Sequence, residues 1–471
     1  MRNATQPQGL VLRLALVAAA VLLPLAGCND VLKVDNPDVV TPGQLDDPAT
    51  LPTVRAGAIG DFSLAYSGDG TNGTNTGTEG IVLYGGLLAD EWVNSETFPT
   101  RIEVDARHIQ VTNGDLATWF LNLSRARRAV ETAADRFAAL APDDPGHPEM
   151  LSLSGFAYLF FAENFCSGVP ISQATFDNRL IYGRPLTTTE LLDTAIARFD
   201  SALAVSGDAD MTALASVGKG RALLDKGDAA GAAAAVNGVP TAFAYLLEHS
   251  ENTDRENNGV FKGNVADQRY SVADGEGING FPFLSVPDPR TPIVLDPAET
   301  GFDGITPLFD NLRYGDRKAS ITLATGVEAR LIEAESALRA GDTVAAGGAF
   351  FAALNQPRAN PAQRSYFDIT TRGGTPPIGA LADLAPTDAV AAGGAVNLLF
   401  NERARWLWLT AHRLSDLRRL VRQYNRAADA VFPTGPYFKS QFPSYGTDVN
   451  FPIPLDEANN PNFAQCLDRN P

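Results

Sequence analysis

Sulfur, imidazole and indole are all scarce in this chain: three cysteines, three methionines, four histidines and four tryptophans among 471 residues. No two of the histidines (His108, His147, His249, His412) stand at metal-ligand spacing, and no G-x-S-x-G, H-E-x-x-H or P-loop is present. The common nucleophilic, zinc-hydrolytic and phosphate-cradling chemistries therefore have no anchor here. Positive charge is also short: 37 Lys and Arg against 55 Asp and Glu give −18 at neutral pH. Such a surface repels nucleic acid and gains nothing by electrostatic docking on anionic lipid. Beyond the first thirty residues, no apolar run reaches the roughly 18 residues a membrane helix needs. The apolar stretch 229–236 is short and alanine-rich, and reads as a packed helix. What the chain has is an ordinary hydrophobic share (45%), enough length for a large core, and 42 glycines with 31 prolines, which point to long ordered loops between helices.

The amino terminus carries the sharpest signal. Arg2 and Arg13 precede an apolar run, 14–25, that stops at Leu25-Ala26-Gly27-Cys28. A basic region, an apolar region and a small-residue cleavage site make a secretory signal, 1–27. Cysteine at the cleavage point makes it a lipobox, so Cys28 is expected to become the acylated first residue, its palmitate-type chains holding the protein to a membrane. Several acyl chains anchor stably where one is marginal. Loss of 1–27 removes two arginines and no acids, leaving a body near −20. Residues 28–40 read as a polar tether. Cys166 and Cys466 are then left: in an oxidising compartment they are either a disulfide or two unrelated buried thiols.

Helical periodicity is expected at 47–66, 115–140, 149–165, 188–205 and 214–236, with a break in the last at Lys226-Gly227-Asp228. A threonine run with Glu190 in the first turn supplies a capping box for the fourth. Ala222-Leu223-Leu224-x-x-Gly227-Asp228, followed by an Ala/Gly-rich helix, returns as Ala337-Leu338-x-x-Gly341-Asp342 followed by another. Small residues let paired helices approach closely, and a Gly-Asp turn ends one helix and caps the next, the grammar of tetratricopeptide repeats. The offset of the two echoes is not a multiple of about 34 residues, so the array is interrupted. Helices resume at 325–340 and 342–354, and 395–428 reads as one long helical region. The scaffold is thus expected at 41–66, 115–239, 325–355 and 395–428, with loop-rich insertions at 67–114, 240–324 and 356–394. The chain from 41 to 471 reads as a single mainly-α domain of interrupted tetratricopeptide-like pairs with a large irregular region packed on them. Two G-x-G-x-x-G matches, from Gly68 and from Gly275, neither follow a strand nor open a helix, and are chance hits in glycine-rich loops.

Aromatics beside acids and amides mark the insertions: Tyr84, Trp92 and Phe98 with Asp90, Glu91 and Asn94, then Phe283, Phe309 and Tyr314. Sugars are held by stacking on aromatic faces and by amide and carboxylate hydrogen bonds, so these are candidate ligand residues, Trp92 foremost; packing of the loops onto the scaffold is the competing reading. Asp90 and Glu91 form an acid pair of the type glycosidases use, but adjacency in so acidic a chain gives it little weight. Arg403, Arg405, Arg413, Arg418, Arg419 and Arg422 flank the apolar positions of 395–428; in an acidic body they read as salt-bridge partners rather than an anion site.

The ordered set of motifs resembles the RagB/SusD family of outer-membrane lipoproteins. It runs from the lipobox with Cys28-Asn29-Asp30-x-Leu32-x-Val34-x-Asn36-Pro37, through Asp90-Glu91 to Arg101 and Ala157-Tyr158-Leu159 to Gly168-x-Pro170. It continues with Glu328–Glu335 to Gly341-Asp342, Asn401-Glu402-Arg403 to Arg418-Arg419, and Phe451-Pro452-Ile453-Pro454. The resemblance implies a helical scaffold carrying loop-rich insertions. It also implies a non-enzymatic, cell-surface-facing, lipid-anchored protein that captures a glycan or other small nutrient and passes it to a SusC-like TonB-dependent transporter, with no cofactor. A non-sugar ligand or a protein-interaction scaffold at the outer membrane are the other roles such a fold could serve.

Overall fold

The computed structural model describes residues 47–70, 79–175, 179–343, 345, 347–359, 378–463 and 465–471. The signal segment, Cys28 and the tether 28–40 lie outside these residues, as does Gly73 of the first glycine match.

Helices dominate, and side-chain caps from Asn113, Thr187, Asp208, Asp228 and Thr325 open five of them. The first, α1 (Leu51–Ser67), follows a 3₁₀ turn capped by Asp47, whose carboxylate accepts from Ala49 N at 2.9 Å. Two short helices follow, α2 (Ile81–Leu88) and α3 (Pro99–Asp105). Then come α4 (Gly114–Leu140), α5 (Gly146–Asn164), α6 (Thr188–Val205), α7 (Ala209–Lys226) and α8 (Ala229–Val236). After the central insertion the chain resumes with α9 (Gly326–Arg339) and α10 (Ala349–Ala359), then α11 (Pro386–Ala391), α12 (Ala395–Trp406) and α13 (Arg413–Tyr424). In the scaffold each helix packs on the next: α1 on α4, then α4 through α10 in series, with α9 also meeting α12.

The capping box at Thr187 and Glu190 is formed in both directions. Gly227 takes φ +91° and Gly341 φ +82°, so the two Gly-Asp turns end their helices in the left-handed region that favours glycine. Close approach explains two further glycines. A Cβ on Gly155 or on Gly218 would stand 2.7 Å and 2.3 Å from the Phe199 ring, so the ring of α6 fills a slot cut into both α5 and α7.

The strands of the described residues pair two by two. β1 (Trp92–Asn94) pairs with β7 (Tyr270–Val272). β2 (Val169–Pro170) pairs with β5 (Pro185–Leu186), and β3 (Gln173–Ala174) with β4 (Leu180–Ile181). β6 (Ala244–Leu247) pairs with β10 (Ile321–Thr325), and β8 (Ile293–Thr300) with β9 (Pro307–Asn311). All five ladders are antiparallel.

Three expectations are corrected. The segment 67–114 is not irregular throughout: it holds α2, all eight of whose residues are buried, and α3. Within 356–394, α11 is likewise helical. The region 395–428 is not one helix, because residues 407–412 break it, with Leu409 at φ 56° and Ala411 at φ 59°. The break is stabilised from outside. Carbonyls of Trp408, Leu409, Thr410 and Ala411 accept in turn from Arg313, Tyr314, Tyr66 and Arg221 at 2.6–2.9 Å. Leu409 N donates to Glu91 at 2.8 Å. Four side chains from the scaffold and the central insertion thus satisfy backbone acceptors that a continuous helix would have used itself.

The arginines of this region are structural. Arg403 bonds Asp416, Arg419 bonds Asp416 and Glu335, and Arg413 makes a two-point contact with Asp90 at 2.6 Å. Arg418 donates to the Ala162 and Glu163 carbonyls, Arg405 meets Asp288, and Arg422 donates to the Asp225 carbonyl. Cys166 and Cys466 form a disulfide across 300 residues, with their Cα atoms 5.7 Å apart. It ties the carboxyl-terminal segment to the end of α5.

Candidate functional site

Most of the aromatics singled out from the sequence are core residues. Trp92 and Tyr84 are fully buried; the indole donates to the Val82 carbonyl at 3.3 Å, and Tyr84 packs on Trp119 and Phe451. Phe283 packs between Phe281 and Trp408, and Tyr314 is held by its hydroxyl to Leu409 O. Phe309 is half-buried against the core. Asp90 is committed to Arg413 and to Phe281 N, while Asn94 accepts from Lys439 and Glu96 N. Stacking needs an open ring face, and here the faces are covered by the protein itself. These residues form the seam that fastens the insertions to the helices.

Phe98 is the exception, 46% exposed. It is the last extended residue before α3, whose first position is Pro99, and its ring projects where the chain turns into the helix. A second exposed ring, Phe302 at 54%, stands in the turn between β8 and β9. Between them lies Arg269, with its guanidinium carbon 5.1 Å from the Phe98 centroid and 5.0 Å from that of Phe302. Cation–π attraction of this kind contributes about 0.5–1 kcal/mol at exposed sites. Sequence reasoning missed Arg269 and Phe302; the signal was a bulky apolar side chain inside Gly301-Phe302-Asp303-Gly304, a turn whose other positions are glycine and aspartate.

The arrangement is fixed on every side. Arg269 donates to Glu96 at 2.8 Å, and Arg101, stacked on Phe98 at 5.6 Å, donates to the other oxygen of Glu96 at 2.8 Å. Arg101 also binds Glu79. Burial pushes the Glu96 carboxyl above its ordinary range against the pull of these two arginines.

The turn bearing Phe302 is laced to β1 and to the approach to β7. Phe302 N donates to Gln268 O at 2.9 Å, Asp303 N to Ser95 O at 3.0 Å, and Ser95 Oγ to Gln268 O at 2.7 Å. Asp303 closes the turn by accepting from Ile305 N, Thr306 N and Thr306 Oγ1 at 2.6–3.0 Å, and it meets Lys439 at 2.9 Å. Burial alone would raise the Asp303 carboxyl, but the Thr306 hydrogen bonds and Lys439 outweigh it and hold the carboxyl below its usual value. Gly301 is demanded by contact: a Cβ there would stand 2.3 Å from Ser95 Cβ.

Chemically, the result is two rigid apolar faces divided by a partly exposed guanidinium with planar donors. A pyranose ring presents the complement, an apolar face of C–H groups rimmed by hydroxyl acceptors. Among the described residues no group of His, Cys, Asp and Glu is placed to hold a metal ion.

No protein-family model matches this sequence, and no curated protein matches it. Solved structures do. A SusD superfamily protein from Bacteroides vulgatus aligns over 90% of this chain and 99% of its own, with TM-score 0.56 and 13% identity. A SusD-like carbohydrate binding protein from Bacteroides fragilis aligns over 89% and 100%, with TM-score 0.58 and 13% identity. A laminarin binding SusD-like protein aligns over 89% and 99%, with TM-score 0.53 and 14% identity. The fold of this chain is therefore the SusD-like fold.

Proposed function

We propose that this chain is a RagB/SusD-family protein: a non-enzymatic, lipid-anchored outer-membrane protein that binds a glycan on the Phe98–Arg269–Phe302 platform and delivers it to a SusC-like TonB-dependent transporter. The platform carries the reading. Two exposed rings lie against one guanidinium, and ten polar contacts of their surroundings fix them in place; an apolar surface held in this way is the kind that marks a ligand site. Their spacing around a donor-rich guanidinium suits a sugar better than an apolar ligand. The shared fold supports it, since two of the structural neighbours carry carbohydrate or laminarin binding in their names. The lipobox at Cys28 supports the anchor, and no helix among the described residues is long and apolar enough to cross a membrane.

Affinity electrophoresis and titration calorimetry of the mature protein against laminarin and a panel of other neutral polysaccharides test the site. At least one glycan is expected to bind, and Phe98→Ala and Phe302→Ala each to weaken it. A bound glycan whose affinity is unchanged in both variants would refute the platform. Separately, Cys28→Ser is expected to release the protein from the membrane fraction with its fold intact.

A further inference from the structure

A groove of about 760 Å³ runs between α4, residues 170–174 with Leu180 and Tyr182, and residues 454–460. It is built on elements other than those that display the two exposed rings. Its walls are largely apolar, contributed by Phe120, Leu121, Ile171 and Leu180, and one aromatic, Tyr182, is 41% exposed. The polar groups are unequal in charge. Asp115, Asp456 and Glu457 line the groove, and among the described residues Arg127 is the one basic residue of the lining. That arginine is already engaged, donating to Glu131 at 2.6 Å and to the Ser172 carbonyl at 2.7 Å. Burial and the neighbouring Asp456 charge both push the Glu457 carboxyl upward, which is the behaviour of an acid with no cation opposite it.

The cavity is a built one. Its carboxyl-terminal wall is fastened by the Cys166–Cys466 disulfide, by Asn460 Nδ2 donating to Gly183 O at 2.9 Å, and by Leu467 N donating to Ser167 O at 2.8 Å. Its other wall is joined to the platform's own helix: Thr100, two residues past Phe98, donates to Asp115 at 2.5 Å.

We propose that this groove is a second glycan subsite, one that takes a sugar residue bearing a free amino group and continues the binding surface that begins at Phe98. The inference rests on the glycan-binding reading above. A carboxylated or sulfated sugar would meet three carboxylates and no available cation. An aliphatic ligand would satisfy the walls and leave the acids unpaired. An amino sugar offers its apolar face to Tyr182 and the aliphatic walls, its hydroxyls to the amides of Gln173 and Asn459, and an ammonium to the acids.

Titration calorimetry with three pentasaccharides of equal length tests this on the mature protein: β-1,4-linked glucosamine, its fully N-acetylated form, and galacturonate. The glucosamine pentamer is expected to bind at least tenfold more tightly than the N-acetylated form, and the galacturonate pentamer not to bind. The double variant Asp456→Asn/Glu457→Gln should abolish the preference. The control double variant Asp143→Asn/Asp210→Asn removes the same charge from exposed positions elsewhere, and should retain it. Equal affinity for the first two pentamers, or equal losses in the two double variants (bulk attraction to an acidic protein), would overturn the proposal. So would no binding by either pentamer. The platform reading is judged separately, by its own neutral-glycan panel and the Phe98 and Phe302 variants.

Discussion

Removing the Cys166–Cys466 bridge tests how the carboxyl-terminal wall is held. The crosslink closes a loop of 300 residues, and loop-closure entropy lost from the unfolded chain grows with the logarithm of loop length. For n near 300 the chain-entropy relation gives about 5–6 kcal/mol at 25 °C. For a chain of this size the unfolding entropy is on the order of 0.9 kcal/mol/K, so the loss corresponds to a fall in Tm of about 6 °C. A competing local effect is small by comparison. Without the bridge the tail keeps Arg469 on Asp448 and Asn450, and Leu467 on Ser167, contacts that hold it in place at roughly 0.5–1.5 kcal/mol each. The variant should therefore retain its folded geometry and lose global stability. Urea denaturation of Cys166→Ser/Cys466→Ser beside the parent, with and without reductant, provides the measurement. The parent plus reductant should match the variant. A difference between oxidised parent and variant below about 1 kcal/mol would refute the argument, because the unfolded chain would then not be sensing the crosslink.

Phe98→Ala and Phe302→Ala should each weaken glycan binding by about 0.5–1.5 kcal/mol, the usual worth of an aromatic contact, as read by calorimetry on whichever glycan the panel identifies. Arg413→Ala leaves the fully buried Asp90 carboxylate without its two-point partner and should cost about 3–5 kcal/mol, whereas Asp90→Asn/Arg413→Met, which removes both charges, should cost distinctly less; a double-mutant cycle by chemical denaturation decides it. Glu91 is buried and its carboxyl is pushed up to about 8, chiefly by desolvation. A folded-state value above that of the unfolded chain means that the folded protein binds the extra proton. This contribution to stability is therefore greatest below about pH 4.5 and is lost as pH rises toward 8. Glu91→Gln should flatten that part of the stability–pH curve between pH 5 and 8, and an unchanged slope would show that Glu91 is not the group responsible.

The helical scaffold was legible because its signals are local. The Thr187–Glu190 box, the Gly227-Asp228 turn and the 188–205 stripe are all decided within one or two helical turns, and each took the form expected; at Gly341-Asp342 the first helix ends as expected, but the next, expected at 342–354, starts at Ala349. The site was much less legible. Trp92, Asp90 and Asn94 have the composition of a sugar site, but the partners that give them another role are remote: Arg413 lies 323 residues from Asp90, and Lys439 lies 345 residues from Asn94. An acid beside an aromatic reads the same in sequence whether it faces a ligand or a buried arginine. The break at 407–412 was hidden for a related reason. Its apolar run continues without glycine or proline, and the groups that satisfy its carbonyls come from three other segments. α2 was obscured by being apolar on all faces, which removes the period that announces a surface helix. Phe302 escaped notice because one aromatic in a turn has no period at all.

The 408–411 break also has a bearing on how this protein tolerates substitution. Its acceptors are four successive main-chain carbonyls, which every amino acid supplies, whereas the donors Arg313, Tyr314, Tyr66 and Arg221 are specific side chains. Robustness to mutation should therefore be lopsided across one set of bonds. At Thr410, whose carbonyl is the group used by Tyr66, many residues would preserve the bond, while almost nothing can replace the guanidinium of Arg221 that reaches Ala411.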